Sequence, residues 1–206
     1  MSLNQTRNLV TGGAGFLGSH LIDKLIKSGQ EVVCIDNFYT GRKINLNQWI
    51  GNPKFEVIRH DITEPILVEV DRIWHLACPA SPIQYQSNPI KTAKTSFLGT
   101  YNMLGLAKRV NASLFLASTS EIYGDNPLTP WAETSNRVLG DPSIDRWSYS
   151  SSKSLVEHML FSLYRKNKLD FTTVRFFNVY GPTESTIWST YTKCQKDKKV
   201  TIGKPF

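Results

Sequence analysis

Short apolar runs alternate along this chain with segments in which apolar side chains recur every three or four residues. Six of the runs are bounded by polar or turn-forming residues, which is typical of buried strands. These runs lie at residues 7–11, 31–35, 55–58, 70–77, 114–117 and 171–177. The helical spacing predicts helices over 17–26, 90–110 and 148–166. Strands that alternate with helices favour an α/β fold with a doubly wound parallel sheet of the Rossmann type.

Proline and local composition set the expectations for the remaining segments. The prolines between 79 and 89 predict irregular backbone until Ile90, because proline disrupts a helix interior. A loop that contains Pro and Asp is predicted over 125–146. Towards the end of the chain, a helix is predicted over 185–196 and a short strand over 200–202.

Glycines at positions 12, 15 and 18 follow the first strand directly and open the first helix. Gly12 permits a tight turn, Gly15 lets a ligand approach the backbone, and Gly18 allows close packing of helix on strand. Unpaired N–H groups at the start of the helix favour a pyrophosphate. Asp36 ends the second strand, where an acidic residue is expected to bind the ribose of a dinucleotide. The spacing therefore predicts a dinucleotide site.

The choice between NAD and NADP depends on the residues around Asp36. A carboxylate there accepts hydrogen bonds from ribose hydroxyls and favours NAD. Arg42 and Lys43 lie nearby in the sequence and are suited to a 2′-phosphate. NAD is the prediction, and NADP stays an alternative.

A second motif places chemistry further along the chain. Tyr149 and Lys153 are four residues apart and share one face of the predicted helix. An ammonium beside a phenol favours the phenolate and lowers the tyrosine pKa, so that Tyr149 is able to accept a proton from a sugar hydroxyl. The fifth strand runs into Ser118-Thr119-Ser120-Glu121, at the strand end where doubly wound folds place their chemistry. The alternative is that these hydroxyls only satisfy turn backbone.

The composition of the 206-residue chain narrows the class of protein. Its length predicts one domain, with room for a small appendage. No apolar run of about eighteen residues and no basic-then-apolar leader occur, so neither a membrane partner nor secretion is expected. The three cysteines, Cys34, Cys78 and Cys194, have no metal-ligand spacing and fit a reducing compartment. No metal is therefore expected, and the predicted location is the cytoplasm.

The formal net charge is +7, and part of it comes from lysines between positions 193 and 204. Nucleic-acid binding, a solvated helix end and attraction of an anionic substrate such as a nucleotide sugar each account for such a cluster. No aromatic residues are interleaved with these lysines, and no nucleic-acid motif occurs. No nucleic-acid partner is therefore expected.

Four motifs together resemble those of the extended short-chain dehydrogenases/reductases, the NAD-dependent epimerase/dehydratase family. They are the glycines at 12–18, the hydroxyl-rich segment 118–121, Tyr149 with Lys153, and Arg175-Phe176-Phe177-Asn178. Within that family the chain looks most like UDP-glucuronate decarboxylases, above all through residues 36–43, 75–82 and the Ser-Glu pair at 120–121. The resemblance implies NAD as cofactor and a UDP-sugar as substrate.

The resemblance also implies a reaction, in which UDP-glucuronate is oxidised at C4, loses CO₂ as a β-keto acid and is reduced to UDP-xylose. Tyr149 is expected to accept the C4 hydroxyl proton, with Lys153 supporting it and binding the nicotinamide ribose. Thr119 is expected at the C4 oxygen, and Ser120 and Glu121 near the carboxylate and C5. The same core also suits a nucleotide-sugar 4-epimerase, a 4-keto-forming oxidoreductase, or a catalytically silent NAD-binding protein or fragment.

The other site residues are assigned by the same resemblance. Those expected at the cofactor are Gly12, Gly15, Phe16, Leu17, Asp36, Asn37, Phe38, Thr40, Gly41, Asp61, Ile62, Leu76, Ala77, Thr95, Tyr149 and Lys153. Those expected at the substrate are Pro79, Ala80, Ser81, Tyr85, Lys94 and Asn178.

Family members typically run considerably longer than this chain, so the substrate-binding lobe is expected to be largely missing. An NAD-binding Rossmann domain with the catalytic residues is predicted over 1–182, and a remnant of the substrate lobe over 183–206. Relatives commonly associate through a four-helix bundle, so a homodimer is expected. The apolar residues available for that interface, or for the core, are Phe97, Met103, Met159, Leu160 and Leu163.

Overall fold

The computed structural model describes residues 6–177 and the backbone of residues 189–194. Its residues divide into two compact units, and the first of them contains residues 6–79 and 98–115. The second contains residues 80–97 and the described residues from 116 onwards. Asn178 and the predicted strand at 200–202 lie outside the described residues. Among the helices that are described, none is both long and apolar enough to cross a membrane.

The described part of the chain contains seven strands and five α-helices. The strands are β1 Arg7–Thr11, β2 Glu31–Asp36, β3 Phe55–Arg59, β4 Arg72–His75, β5 Ser113–Thr119, β6 Phe171–Phe176 and β7 Ser189–Cys194. The α-helices are α1 Phe16–Lys27, α2 Pro82–Ser87, α3 Pro89–Lys94, α4 Thr100–Val110 and α5 Arg146–Asn167. The strand order is β3-β2-β1-β4-β5-β6-β7, which for the first six strands is the doubly wound Rossmann order. The predicted fold class is confirmed.

In the first unit, β1 lies between β2 and β4, and all these pairings are parallel. Leu9 is opposite Val33 on one side and Ile73 on the other. Nearly every residue of β1 and β2 is buried, as expected for central strands of a parallel sheet that is covered on both faces. This burial explains why both strands are continuous apolar runs in the sequence.

Helix α1 covers one face of this sheet through a narrow apolar stripe. Ile22, Leu25 and Ile26 are buried and belong to one cluster with Val10 and Cys34. The helix ends at Lys27, and Gly29 follows its cap with a φ of +86°, a conformation that glycine adopts without a Cβ penalty. The other end of α1 begins at Phe16, directly after the glycine turn that follows β1.

The buried thiol of Cys34 gives a direct test of this core. Burial, followed by the negative charge of Asp36, raises the pKa of Cys34 to about 12. At pH 8 only about one such thiol in ten thousand is ionised, and the thiolate is the reactive form. We expect iodoacetamide to leave Cys34 unmodified in the folded protein and to modify it in urea, as measured by peptide-resolved mass spectrometry. Equal labelling in both conditions would contradict this burial.

The prediction of irregular backbone between residues 79 and 89 is wrong, because this segment contains α2 and the start of α3. Pro82 and Pro89 each stand at the first helical position, where a proline leaves no hydrogen bond unmade. Ser81 and Asn88 cap the two helices by accepting hydrogen bonds from the next turn. Proline therefore starts these helices instead of preventing them. The helix predicted over 90–110 is α3, a π-helical turn at Thr95–Gly99, and α4.

The helix predicted over 185–196 is wrong for the residues that are described there. Residues Ser189–Cys194 form β7, which pairs antiparallel with β6, with Val174 opposite Tyr191. The sequence Ser-Thr-Tyr-Thr-Lys-Cys is rich in residues that favour strands. Pairing with β6 decides the conformation of this segment, and the apolar periodicity of so short a segment does not indicate that pairing.

Two of the five apolar candidates for a dimer interface belong to the cores of the units themselves. Met103 in α4 and Leu160 in α5 are fully buried within the single chain. Phe97 is 38 % exposed.

Candidate active site

The predicted site residues fall into two groups, one in each unit. The first unit contains the glycine turn, residues 36–41, Asp61, Ile62, Leu76, Ala77 and Pro79. The second unit contains Ala80, Ser81, Tyr85, Lys94, Thr95, Thr119, Ser120, Glu121, Tyr149 and Lys153. Each group is described below within its own unit.

The glycine turn packs tightly at the carboxyl end of β1. Gly12 has a φ of +71°, and a Cβ there would lie 2.8 Å from the Cα of Ala77. A Cβ on Gly18 would collide with the carbonyl oxygen of Gly12, and one on Gly13 with the Cys34 sulfur. Three glycines of the turn are therefore required by the protein's own packing. The packing role of Gly13 is an addition to the sequence prediction.

Gly15 is less crowded than these glycines, although a Cβ there would still meet one backbone oxygen at a tight distance. A Cβ on Gly15 would have one neighbour within 4 Å, the Gly12 carbonyl oxygen at 3.2 Å. Gly15 is also the N-cap residue of α1, and no side chain caps that helix or places an acid in its first turn. The first backbone N–H groups are thus not occupied by a side chain of the helix. An anionic ligand lying against Gly15 fits this cradle.

Asp36 is held at the edge of this cradle by backbone amides. Its carboxylate accepts hydrogen bonds from the amide of Ala14 at 2.9 Å and from that of Phe38 at 2.8 Å. Gly41 packs beside it, since a Cβ there would lie 2.9 Å from a carboxylate oxygen of Asp36. Phe38 has a φ of +58°, and the Lys43 ammonium lies over its ring at 5.4 Å from the centroid. The acid and the glycine turn are brought together as the sequence predicts.

Two further residues of the first unit that were predicted at the cofactor contact each other, and a buried histidine that was not predicted lies beside Leu76. The amide of Asn37 donates to Asp61 at 2.9 Å. His75, which is buried, joins the hydroxyls of Thr11 at 2.8 Å and Thr100 at 3.0 Å. This chain of contacts ties together β1, β4 and α4 next to Leu76 and Ala77. The sequence did contain a signal for His75, because it ends a strand directly before Leu76 and Ala77, which were predicted at the cofactor.

In the second unit, α5 holds the end of β5 through three side chains on one helix face. Lys153 donates to the carbonyl oxygen of Ala117 at 2.9 Å, and Ser150 to that of Glu121 at 2.6 Å. Glu157 accepts a hydrogen bond from the hydroxyl of Ser118. The segment 118–121 is thereby registered against the helix that carries Tyr149. The segment 118–121 and the helix that carries Tyr149 are therefore in contact within this unit.

Tyr149 is buried and stacked. Its ring lies 4.7 Å from that of Tyr85 between centroids, and the two planes differ by 8°. The Lys153 ammonium is 6.0 Å from the centroid of the Tyr149 ring. Tyr85, in α2, is therefore next to Tyr149, a neighbour that its distance along the chain does not indicate.

Glu121 forms an ion pair with Arg146, the first residue of α5, at 3.2 Å. Its own backbone amide donates to the hydroxyl of Thr119, which fixes the turn after β5. Burial, followed by the negative charge of Glu121, raises the pKa of the Tyr85 hydroxyl, while the positive charge of Arg146 acts in the opposite direction.

A buried ion pair supports the same region. The Arg175 guanidinium contacts Glu157 at 2.6 Å and donates to the Tyr123 hydroxyl and to the Glu133 carbonyl oxygen, both at 2.8 Å. Burial opposes the charge on Arg175, but hydrogen bonding and attraction to Glu157 outweigh it and raise the pKa of Arg175. Sequence reasoning missed Glu157 and Arg146. The signal for Glu157 was a carboxylate four residues after Lys153, on the same helix face.

The remaining residues of the second unit that were predicted at the site differ in their surroundings. Ala80, Ser81 and Lys94 are exposed, and Ser81 serves as the cap of α2. Thr95 is buried, and its hydroxyl has no hydrogen-bond partner among the described residues. A buried hydroxyl of this kind is suited to a ligand.

A comparison with protein-family models shows which family the chain belongs to. The family model described as GDP-mannose 4,6 dehydratase matches residues 9–203, nearly the whole chain. The chain belongs to this family. The resemblance to the epimerase/dehydratase branch of the extended short-chain dehydrogenases/reductases is thus confirmed.

Curated relatives within this family are UDP-glucuronic acid decarboxylases. UDP-glucuronic acid decarboxylase 3 of Arabidopsis thaliana is 52% identical over 177 residues, which is 85% of this chain and 52% of that protein. UDP-glucuronic acid decarboxylase 1 of Xenopus tropicalis is 50% identical over 179 residues, 87% of this chain and 42% of that protein. The chain thus spans about half the length of the curated relatives it matches, or less.

Solved structures of the family share the fold at lower identity. The dTDP-glucose 4,6-dehydratase DesIV of Streptomyces venezuelae, solved with NAD, superposes with a TM-score of 0.74 at 28% identity, over 86% of this chain and 57% of that one. The UDP-glucose 4-epimerase of Thermotoga maritima, solved with UDP-glucose, gives 0.72 at 30% identity, over 85% of this chain and 57% of that one.

Proposed function

We propose that this family member takes part in the NAD-dependent decarboxylation of UDP-glucuronate to UDP-xylose through a 4-keto intermediate. The observation that carries the proposal is the placement of Glu121 at the turn after β5, in the unit that also contains Tyr149 and Lys153. Half or more of the aligned residues are identical in the decarboxylases named above. A carboxylate-bearing sugar is the substrate class that those relatives' names describe.

The first unit supplies the proposed cofactor site. The glycine turn would hold the pyrophosphate, and Asp36 the adenosine ribose, with Asn37, Asp61 and the segment 76–77 nearby. NAD is favoured over NADP, because the Asp36 carboxylate would repel a 2′-phosphate. When bound, NAD accepts a hydride from the sugar and later returns it.

Tyr149 is the proposed general base for oxidation at C4. It would accept the C4 hydroxyl proton as the hydride leaves, and Thr119 would hold the C4 oxygen by a hydrogen bond. The Lys153 ammonium, anchored at the Ala117 carbonyl, lies near enough to the Tyr149 ring to stabilise negative charge there. The Tyr85 ring, stacked on Tyr149, restricts the rotation of that side chain.

The loss of CO₂ follows from the chemistry of the oxidised sugar. With a ketone at C4, the carboxylate at C5 belongs to a β-keto acid. The bond between C5 and the carboxyl carbon breaks, and its electron pair passes into an enolate on the C4 oxygen. We assign Glu121 and Ser120 to the surroundings of C5, where a proton must be added before C4 is reduced.

The glycine cradle provides a test of cofactor binding that does not depend on turnover. We expect Gly15→Ala to weaken NAD binding about tenfold or more while lowering the melting temperature less than Gly18→Ala does, because the added methyl would occupy ligand space and would meet only the Gly12 carbonyl oxygen, at 3.2 Å. Gly18→Ala is the matched variant, and it should lower the melting temperature through its clash with Gly12. Isothermal titration calorimetry with NAD and thermal unfolding measure the two effects. Equal NAD affinity for Gly15→Ala and wild type would exclude this cradle.

The proposed reaction is tested by incubating the purified protein with UDP-glucuronate and NAD and following the products by mass spectrometry and NMR. Formation of UDP-xylose with release of CO₂ supports the proposal. Release of CO₂ with a 4-keto pentose and accumulating NADH would indicate an oxidative decarboxylase. If NAD binds but CO₂ is not released, the proposal fails, and 4-epimerase activity or a silent NAD-binding role becomes the alternative.

The wider organisation is proposed on the same basis. Residues 1–182 would form the NAD-binding domain with the catalytic residues, and 183–206 part of the substrate lobe. A cytoplasmic homodimer is the expected assembly, formed through the helices that carry Phe97 and Tyr149. Light scattering at tens of micromolar checks the assembly, and a monomer there would count against it.

A further inference from the structure

The ion pair between Glu121 and Arg146 is unusual among the charged contacts around the proposed catalytic group, because it is open to solvent. The Arg146 side chain is 50% exposed and that of Glu121 is 30% exposed. By contrast, Lys153 is buried and donates to a backbone carbonyl, and Arg175 is enclosed by Glu157, Tyr123 and Glu133. Arg146 is therefore the cation of this set that an incoming anion is able to reach.

The position of Arg146 places it beside the proposed reaction centre. It is the first residue of α5 and precedes Tyr149 by three positions, so the two side chains lie on neighbouring parts of one helix face. Its guanidinium also lies 5.5 Å from the centroid of the Trp147 ring, a contact that restricts its motion. Ser150, the neighbour of Tyr149 in α5, donates to the backbone carbonyl of Glu121, so the Glu121–Arg146 pair and the stacked Tyr85 and Tyr149 rings both adjoin the first turns of α5.

A uronate substrate creates an electrostatic problem at the Glu121–Arg146 pair. Its carboxylate would approach Glu121, and two carboxylates at short range repel each other unless a cation lies between them. A guanidinium presents five N–H donors in a planar fork, which allows it to bind one carboxylate in place of another or two at once. A single 3.2 Å contact with Glu121 leaves most of that capacity for a second anion.

We infer that Arg146 is the residue that binds the carboxylate of the sugar, and that Glu121 occupies Arg146 until the substrate arrives. This inference rests on the proposed function, since it requires a uronate substrate. Arrival of the substrate would shift Arg146 to the sugar carboxylate and release Glu121 toward C5. Arg146 is then a specificity-determining residue, which distinguishes a sugar acid from the corresponding neutral sugar.

Binding of two nucleotide sugars that differ in this one group tests the inference. UDP-glucuronate carries a carboxylate where UDP-glucose carries a hydroxymethyl group. Calorimetry on the NAD-loaded protein should show that Arg146→Gln weakens UDP-glucuronate binding about tenfold, as expected for loss of a charged hydrogen bond, and leaves UDP-glucose binding unchanged. Glu121→Gln should have the opposite effect and tighten UDP-glucuronate binding severalfold, because the competitor for Arg146 loses its charge.

Arg165→Gln is the matched control. Arg165 lies on the same helix about 28 Å further along its axis, well beyond the screening length in physiological salt, so both affinities should stay as in wild type. Its inclusion separates a local carboxylate contact from the general effect of removing one positive charge.

Three results would overturn the inference: an unchanged preference for UDP-glucuronate in Arg146→Gln, an equal loss for both nucleotide sugars, or weaker UDP-glucuronate binding in Glu121→Gln. Failure of the proposed function gives a different pattern. A wild-type protein that prefers UDP-glucuronate through Arg146, yet releases no CO₂, retains the inference and loses the decarboxylase assignment. A wild-type protein that binds neither nucleotide sugar overturns both.

Discussion

Tyr149→Phe is expected to reduce CO₂ release from UDP-glucuronate by a factor of about 10² to 10⁴, the usual contribution of a positioned general base. The substitution removes one oxygen atom and keeps the ring that stacks on Tyr85 at 4.7 Å. The ring packing is kept and the loss should be in kcat, and the melting temperature of the variant, measured alongside, separates this loss from any effect on folding. Initial rates of UDP-xylose formation, measured with saturating NAD, give the effect.

The control for this variant is Tyr164→Phe, on the same helix and away from its first turns. Tyr164 packs edge-on against Phe171, and removal of its hydroxyl should leave turnover unchanged. A Tyr149→Phe protein that turns over at the wild-type rate would exclude Tyr149 as the base. Equal inactivity of wild type and variant, with NAD bound to both, would instead identify a catalytically silent protein.

Arg175→Met is expected to cost about 3–5 kcal/mol in the free energy of unfolding, because it leaves the Glu157 carboxylate buried without its cation. The two side chains are only 14% and 6% exposed, and their contact distance is 2.6 Å. Glu157 also accepts the hydroxyl hydrogen of Ser118, so its displacement would disturb the segment that leads to Glu121. Urea unfolding followed by circular dichroism measures the loss.

The chain offers a matched control in Arg109→Met. Arg109 pairs with Glu69 at the same 2.6 Å, but these side chains are 40% and 74% exposed. Water solvates that pair, so its removal should cost less than about 1 kcal/mol. Combining Arg175→Met with Glu157→Gln should recover much of the loss, since no buried charge is left unpaired. Similar small losses for Arg175→Met and Arg109→Met would show that the buried pair is not a major source of stability.

The strands and the two long helical segments were predictable because each is decided by a local pattern that burial enforces. β1 and β2 read as apolar runs because both of their faces are covered, and the observed start of α5 at Arg146 is close to the predicted position 148. The glycine turn and Asp36 were equally readable, since a tight turn before a helix restricts residue choice wherever it occurs. The prediction at α2 failed for a local reason, because a proline at the first helical position starts a helix. The prediction at β7 failed for a non-local reason, because pairing with β6 outweighed the helical spacing of the segment's own residues.

The sequence by itself determined the fold class, the glycine cradle with its acid, and the pairing of Tyr149 with Lys153 on one helix face. Each of these depends on residues close together in the chain, whose geometry follows from backbone preferences and helical spacing. Only the tertiary structure decided that Tyr85 stacks on Tyr149, that Glu157 pairs with Arg175, and that Glu121 rests on Arg146. These contacts join side chains between 18 and 64 residues apart, and charge or aromatic character alone does not choose among many equivalent partners. Packing of the helices against the strand ends brings these side chains together, and for the buried Glu157–Arg175 pair the cost of an unpaired buried charge holds the two in place.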